Sequence, residues 1–256
     1  MVIEFKEEIM KKRFIAFLLS SSAFYTQANT CDNLPNYQEL TRALKSVVAT
    51  TSHEANGGLE LNMWGTIVAR DGSVCVVTKT GENFGDQWPG SRVISAQKAN
   101  TANAFSLPEL SLSTANLWKA TQPGGSLFGL QFSNPVNSKL AFKGKSKYFG
   151  QKNDPMVSHR IGGLNVFGGG LALYNNQGEI IGGLGVSGDT SCADHNIAWK
   201  TRHALKLDYV PKGVSNTGDD NIIYDIDNGF SHVNCGNGEQ QIADNLPNSF
   251  PLSKRK

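Results

Sequence analysis

The sequence predicts a mixed α/β (α+β) domain, an antiparallel sheet with helices layered against it. Three observations carry this expectation. Two pairs of apolar runs close on tight-turn signals, Asp71-Gly72 and Asn175-Asn176-Gln177-Gly178, and hairpins build antiparallel sheets. Stretches with helical spacing stand before, between and after those hairpins, which implies layers on the sheet faces. No strand–helix–strand alternation runs along the chain, which disfavours a doubly wound parallel sheet.

The elements follow in order. Residues 37–52 place Tyr37, Leu40, Leu44, Val47, Val48 and Thr51 on one helical face, and Asn56-Gly57-Gly58 breaks it. Residues 59–69 read as a strand and 73–80 as its partner. A glycine-rich loop over 81–90 leads into an alanine-rich helix over 91–105. Its Ala96, Ala99 and Ala102 recur every third residue and permit close approach to a sheet. Residues 113–120 suit a short helix. Residues 121–162 carry Gly, Lys, Asn and Pro without periodicity and read as an insertion, a kind of segment that often carries function. The second hairpin joins 167–174 to 179–187. Asp189 or Thr190 then caps a helix over 191–205. From 207 to 256 the chain is polar and reads as an extension that wraps the surface or is partly disordered.

The bulk properties bound the function. The chain has 256 residues, 39% hydrophobic and 18% charged, which fits one globular domain with decorated ends. Net charge is +2, with basic clusters at 11–13 and 252–256, so the balance does not point to nucleic acid. Lys11, Lys12 and Arg13 precede an apolar run over 14–24, and Thr26-Gln27-Ala28 offers a small-x-Ala cleavage site. This is the pattern of a secretory signal peptide over residues 1–28, so the mature chain is expected in the periplasm or outside the cell. Cys31, Cys75, Cys192 and Cys235 make an even count, which favours disulfides in an exported chain. Three pairings are open; one joins Cys31 to Cys235 across the two tails and leaves Cys75 with Cys192. No Cys-x-x-Cys is present, which disfavours metal knuckles, thioredoxin-type chemistry and covalent haem attachment.

The stretch GGLGVSGD over 182–189 crowds glycine into a strand and ends at a helix start. Glycine weakens a strand, so its density here implies close approach of a ligand or of another backbone. The helix start offers free N–H groups and the positive end of a dipole, and Ser187, Asp189, Thr190 and Ser191 add short polar groups. An anion fits there: a haem propionate, a phosphate or a carboxylate. Among the histidines, His159 in MVSHRIGG, in the irregular region, is a candidate haem iron ligand. His195 and His203 are eight apart, not the i, i+4 spacing of a chelating pair. No nucleophile elbow, P-loop or His-Glu-x-x-His stretch occurs, and Asp225-Ile226-Asp227-Asn228-Gly229 lacks the closing Glu of a calcium loop.

The ordered set TIVARDGSVCVV (66–77), SAQKANTANAF (95–105), FGGGLALYNNQGEIIGGLGVSGD (167–189) and ADHNIA (193–198) resembles the GlcG/HbpS family of haem-binding, haem-degrading domains. The Lys-Ala-x-Thr-Ala motif is Lys98 to Ala102, and the G-x-I-G-V-S-G motif is Gly182 to Gly188, with Leu184 for isoleucine. The resemblance covers about residues 37–206 and frames a domain over 29–206. Residues 121–162 are longer than the family pattern, Leu171-Ala172 replaces Pro-Ile, and Asp194-His195 replaces Asp-Glu.

The resemblance implies a profilin-like layered domain with an antiparallel sheet of about five strands. It also implies a homo-oligomer, a non-covalent b-type haem, and a haem-transfer partner or membrane sensor. On it, Arg92 and Lys98 would pair with propionates and Thr101 would line the site, while Gly185, Ser187, Gly188 and Thr190 would form the strand-to-helix cradle. His159 or His195 would approach the iron. The expected function is haem binding in iron handling or redox sensing, more a binding role than dedicated catalysis, with assistance to oxidative haem degradation as an addition. The alternative is a binding module for another small anionic ligand.

Overall fold

A computed structural model of the protein describes residues 30–48 and 56–255. The expected signal peptide over residues 1–28, the end of the first predicted helix and His53 lie outside the described residues.

Helix α1 (Tyr37–Val48) starts where Asn36 Oδ1 accepts the amides of Gln38 and Glu39, and Glu39 returns a carboxylate to Asn36 N. Its Leu40, Leu44 and Val47 are buried. Strands β1 (Trp64–Ala69) and β2 (Val74–Lys79) form the first hairpin, with Asp71 Oδ1 holding Ser73 N at 3.0 Å in the turn. Helix α2 (Ser91–Phe105) follows the glycine-rich loop. Strands β3 (Gly170–Tyr174) and β4 (Ile180–Ser187) form the second hairpin, followed by α3 (Ser191–Ala204). A last helix, α4 (Glu239–Ser249), lies in the extension.

The sheet order is β2-β1-β4-β3, antiparallel throughout. Among the described residues it has four strands, where about five were expected. At the β3 edge, the place of a further strand is taken by an isolated parallel bridge from Tyr174 to Asp208. The first strand is also shorter than its pattern, because the amides of Leu59 and Leu61 bond to the Asp189 carboxylate and not to a ladder.

Helix α2 covers one sheet face; α1 and α3 cover the other. Ala96, Ala99 and Ala102 are fully buried. Opposite them, a Cβ on Gly183 would collide with Ala99 O, and one on Gly185 with Ser95 O. The glycines of β4 therefore let the α2 backbone rest on the strand.

The insertion over 121–162 is irregular but not loose. It contains the single turns Leu130–Ser133 and Ser138–Ala141, and its Ala141, Met156 and Ile161 join a core with Trp64, Val68, Val77 and Val93. The extension wraps the surface and is tied down by the buried pair Arg202–Asp220, both contacts 2.7 Å. Helix α4 escapes a reading of periodicity because Ala243 and Leu246 are its only buried apolar residues and Pro247 sits within it. Its start is fixed by Glu239, whose carboxylate accepts the amides of Cys235, Gly236 and Asn237.

The disulfides are Cys31–Cys75 and Cys192–Cys235, not Cys31–Cys235 with Cys75–Cys192. The two tails are not tied to each other. The chain near Cys31 lies against β2, and the chain near Cys235 reaches the first turn of α3, with Cα separations of 5.6 and 6.2 Å. Two disulfides fit a non-cytoplasmic, oxidising compartment. Among the described residues, no helix is long and apolar enough to cross a membrane.

Candidate functional site

At the end of β4, Ser187 and Gly188 are buried and lead into Asp189. Asp189 Oδ1 accepts Leu59 N at 2.8 Å and Thr190 N at 2.6 Å. Thr190 is the N-cap of α3, its hydroxyl accepting Ala193 N at 3.2 Å. Asp194 Oδ1 accepts Asp189 N at 2.9 Å, and Asp194 Oδ2 lies 2.6 Å from Lys98 Nζ. The negative charge that a helix start attracts is thus supplied by the chain itself.

Lys98 is buried and also donates to Val186 O at 3.1 Å. Burial pushes its pKa down, against the pull of Asp194. Burial pushes Asp194 up to about 6, against the pull of Lys98. Both shifts have one cause, removal of the two groups from water.

Gly168 and Gly169 pass over this pair. A Cβ on Gly169 would approach Asp194 Cβ at 2.9 Å and Lys98 Nζ at 3.2 Å; one on Gly168 would lie 3.2 Å from His195 Cβ. His195 is fully buried. Its Nε2 accepts Ile222 N at 3.1 Å and faces Asn221 Oδ1 at 3.1 Å, while Nδ1 has no partner. Burial pushes its pKa down to about 4, so the ring is neutral at physiological pH.

The remaining predicted residues lie elsewhere. Arg92 is buried: Nε donates to Asp154 Oδ2 at 2.8 Å, Nη2 pairs with Asp154 Oδ1, Nη1 donates to Ala141 O at 2.8 Å, and the guanidinium stacks 3.7 Å from the Phe149 ring centre. Thr101 Oγ1 donates to Gln97 O and accepts Asn165 N at 2.9 Å. His159 is partly exposed, and its backbone pairs with Val74 at the start of β2. Its Nε2 lies 3.5 Å from Lys143 Nζ. Val74 pairs with Val68, whereas Ser187 pairs with Trp64, so His159 and the strand-to-helix junction stand at opposite ends of the sheet. Lys98, Gly185, Ser187, Gly188, Thr190 and His195 therefore gather at one end; His159 does not join them.

Three groups escaped the sequence reading. Asp154 holds Arg92, and its signal was present: it is the sole acid between Glu109 and Glu179. Asn221 covers His195 from a segment with no motif. His232 is buried, 3.2 Å from Ser191 Oγ, with Trp118 packed 5.3 Å away; burial pushes its pKa down. In addition, Gly183, Gly185 and Gly188 keep the G-x-G-x-x-G spacing of a dinucleotide fingerprint. Here they sit in an antiparallel strand beneath α2, without the parallel strand–helix crossover that makes that spacing bind phosphates.

A wide groove lies elsewhere. It measures about 1210 Å³ and is lined by Asp32, Tyr37, Arg42, Val76, Lys152 and Lys206 among others, with no histidine.

The solved structures similar to this chain include two from related domains. Protein ORFY of Klebsiella pneumoniae, a DUF336 protein, has 23% identity over 66% of this chain and 86% of its own, with a TM-score of 0.44. PduOC in complex with heme has 25% identity over 65% of this chain and 89% of its own, also with a TM-score of 0.44. No curated protein matches. The model of the family described as haem degrading protein HbpS-like matches residues 44–202, which is more than half of the sequence, and the chain belongs to that family.

Proposed function

We propose that this protein is an exported haem-binding protein that handles haem or its iron and holds the haem non-covalently. Family membership supplies the ligand class. One observation carries the site, the setting of His159. Among the described histidines, His195 and His232 are buried, and His203 is held by Asp208 at 2.8 Å with its ring against Phe250. His159 stands partly exposed beside Lys143 Nζ, and Phe142, the chain neighbour of Lys143, is exposed. An imidazole, an ammonium and an aromatic face are the groups that an iron, a propionate and a porphyrin plane call for.

Bound haem supplies redox-active iron; the protein supplies position and charge. In this reading His159 offers a ring nitrogen, Lys143 a cation for a propionate, and Phe142 an apolar contact. Arg92, Lys98 and Thr101 act as framework, since each already holds a buried partner. His195 is the inner alternative and needs the segment at Asn221 to move before its ring is reached.

Titrating the mature, oxidised protein with haemin tests the proposal by absorbance. A shifted Soret band that saturates at fixed stoichiometry is expected; a linear, unsaturated response sinks it. Assistance to degradation predicts that peroxide bleaches the bound band faster than free haemin and releases iron. Export predicts a mature N-terminus at Asn29. The second reading, a small anionic organic ligand, is favoured by the groove with Arg42, Lys152 and Lys206 on its wall. A different co-purified acid in the native mass spectrum would support it.

A further inference from the structure

The lysines of the insertion are spread thinly along the sequence but are not balanced. Between Glu109 and Asp154 stand Lys119, Lys139, Lys143, Lys145, Lys147 and Lys152, and not one acid. The chain is +2 overall, so this stretch is +6 and the rest of the sequence is −4. Asp154, which closes the stretch, is buried against Arg92 and adds no surface charge.

The same stretch exposes aromatic side chains. Phe128, Phe132 and Phe142 are 59%, 81% and 62% exposed, and Leu127 and Tyr148 are also exposed. In FKGKSKY, residues 142–148, every residue is exposed. This loop has a firm base. Ala141 on one side is buried and holds Arg92 through its carbonyl; Phe149 on the other packs its ring on Arg92 and against Phe84. Three alternate lysines flanked by Phe142 and Tyr148 thus project from a fixed root. Lys147 Nζ lies 4.9 Å from the centre of the Tyr148 ring.

We propose that the insertion docks this protein on an anionic phospholipid surface. Exposed lysines attract anionic headgroups, and exposed phenylalanines enter the headgroup–acyl boundary; a soluble inorganic polyanion such as polyphosphate would use the first group and gain nothing from the second. A run of lysines without acids avoids the local repulsion that a mixed surface would meet. The proposal does not depend on haem, and the residues chosen for its test lie outside the His159 setting.

The test uses the full mature chain in its oxidised form, without haem. Co-sedimentation compares vesicles of phosphatidylcholine alone with vesicles that also contain phosphatidylglycerol. Binding is expected only to the second, and it should fall as salt rises. Lys145→Gln with Lys147→Gln should weaken partitioning about 30-fold. Phe128→Ser with Phe132→Ser should weaken it about tenfold and leave the salt dependence intact. Both variants should fold, by circular dichroism, and take up haemin as the wild type does.

No binding to phosphatidylglycerol vesicles overturns the proposal. So does binding that ignores the phenylalanine pair and is abolished by polyphosphate, which would mark a soluble-polyanion site. So does a wild-type oligomer that the phenylalanine pair converts to monomer without any vesicle binding, which would mark a contact between copies.

Discussion

His195 couples the junction to pH. Burial lowers its pKa to about 4, whereas the unfolded ring titrates near 6.5. The unfolded chain therefore takes up this proton first, and the stability contributed above about pH 6.5 is lost as pH falls through 4. Asp194 acts in the opposite sense: raised to about 6, it favours the fold at low pH and loses that contribution as pH rises through 6. Wild-type stability alone mixes the two, so the difference between variants is the informative quantity. His195→Gln should gain up to about 3 kcal/mol relative to wild type between pH 7 and pH 4, read from urea midpoints. A difference independent of pH would show that His195 titrates normally. Gly185 has a simpler expectation. Its Ala variant meets Ser95 O and must lift α2, costing about 3 kcal/mol and roughly 10 °C in Tm by thermal melting. The glycine density of 182–188 was legible as close approach. What approaches was not, because a missing side chain records that something comes near and not whether it is a helix or a ligand.

The insertion and the extension are held by different devices. Arg92–Asp154 roots the insertion. Asp154→Asn leaves the buried guanidinium without its charge partner and should cost about 3–5 kcal/mol, with trypsin cutting at Lys143, Lys145 and Lys147 well before the rest of the chain. Uniform cleavage would contradict that anchoring role. The extension meets α3 across a polar seam. Among the described residues, the buried polar side-chain atoms without a partner are His195 Nδ1, Asn196 Oδ1, Thr201 Oγ1, Arg202 Nε, Asp208 Oδ1, Tyr224 Oη and Ser231 Oγ, and all belong to α3 or the extension. Such a seam is weakly bonded for its burial, and Cys192–Cys235 clamps it. Cys235→Ser should cost roughly 2–5 kcal/mol, and amide exchange should accelerate over 219–249 before it does in the sheet. Exchange unchanged in that segment would show that the disulfide is not its clamp. The hairpins and α2 were readable because period and turn chemistry are local. The disulfide partners and α4 were not, because both depend on where the extension lands.

At the scale of the whole molecule, the layered order of helix, sheet and helices follows from two hairpins and the helices around them. The family motif spans the same elements. The site was less legible. Lys98, Thr190, Gly185 and His195 do gather, but around a junction that Asp189, Asp194 and Asn221 already fill. Arg92 turns the other way to meet Asp154, and His159 stands at the far end of the sheet. Sequence spacing along α2 and α3 gives the faces of each helix, but ion-pair partners from 154 and 221 are set by tertiary contacts.

The central claim, haem binding at the His159 setting, is tested most directly by haemin titration of three proteins in parallel: wild type, His159→Ala and His195→Ala. The account predicts saturation at one stoichiometry in the wild type and in His195→Ala, with an altered Soret band and weaker binding in His159→Ala. Identical curves for wild type and His159→Ala, with the altered spectrum in His195→Ala, would move the site to the junction. A linear response in all three would contradict haem binding itself.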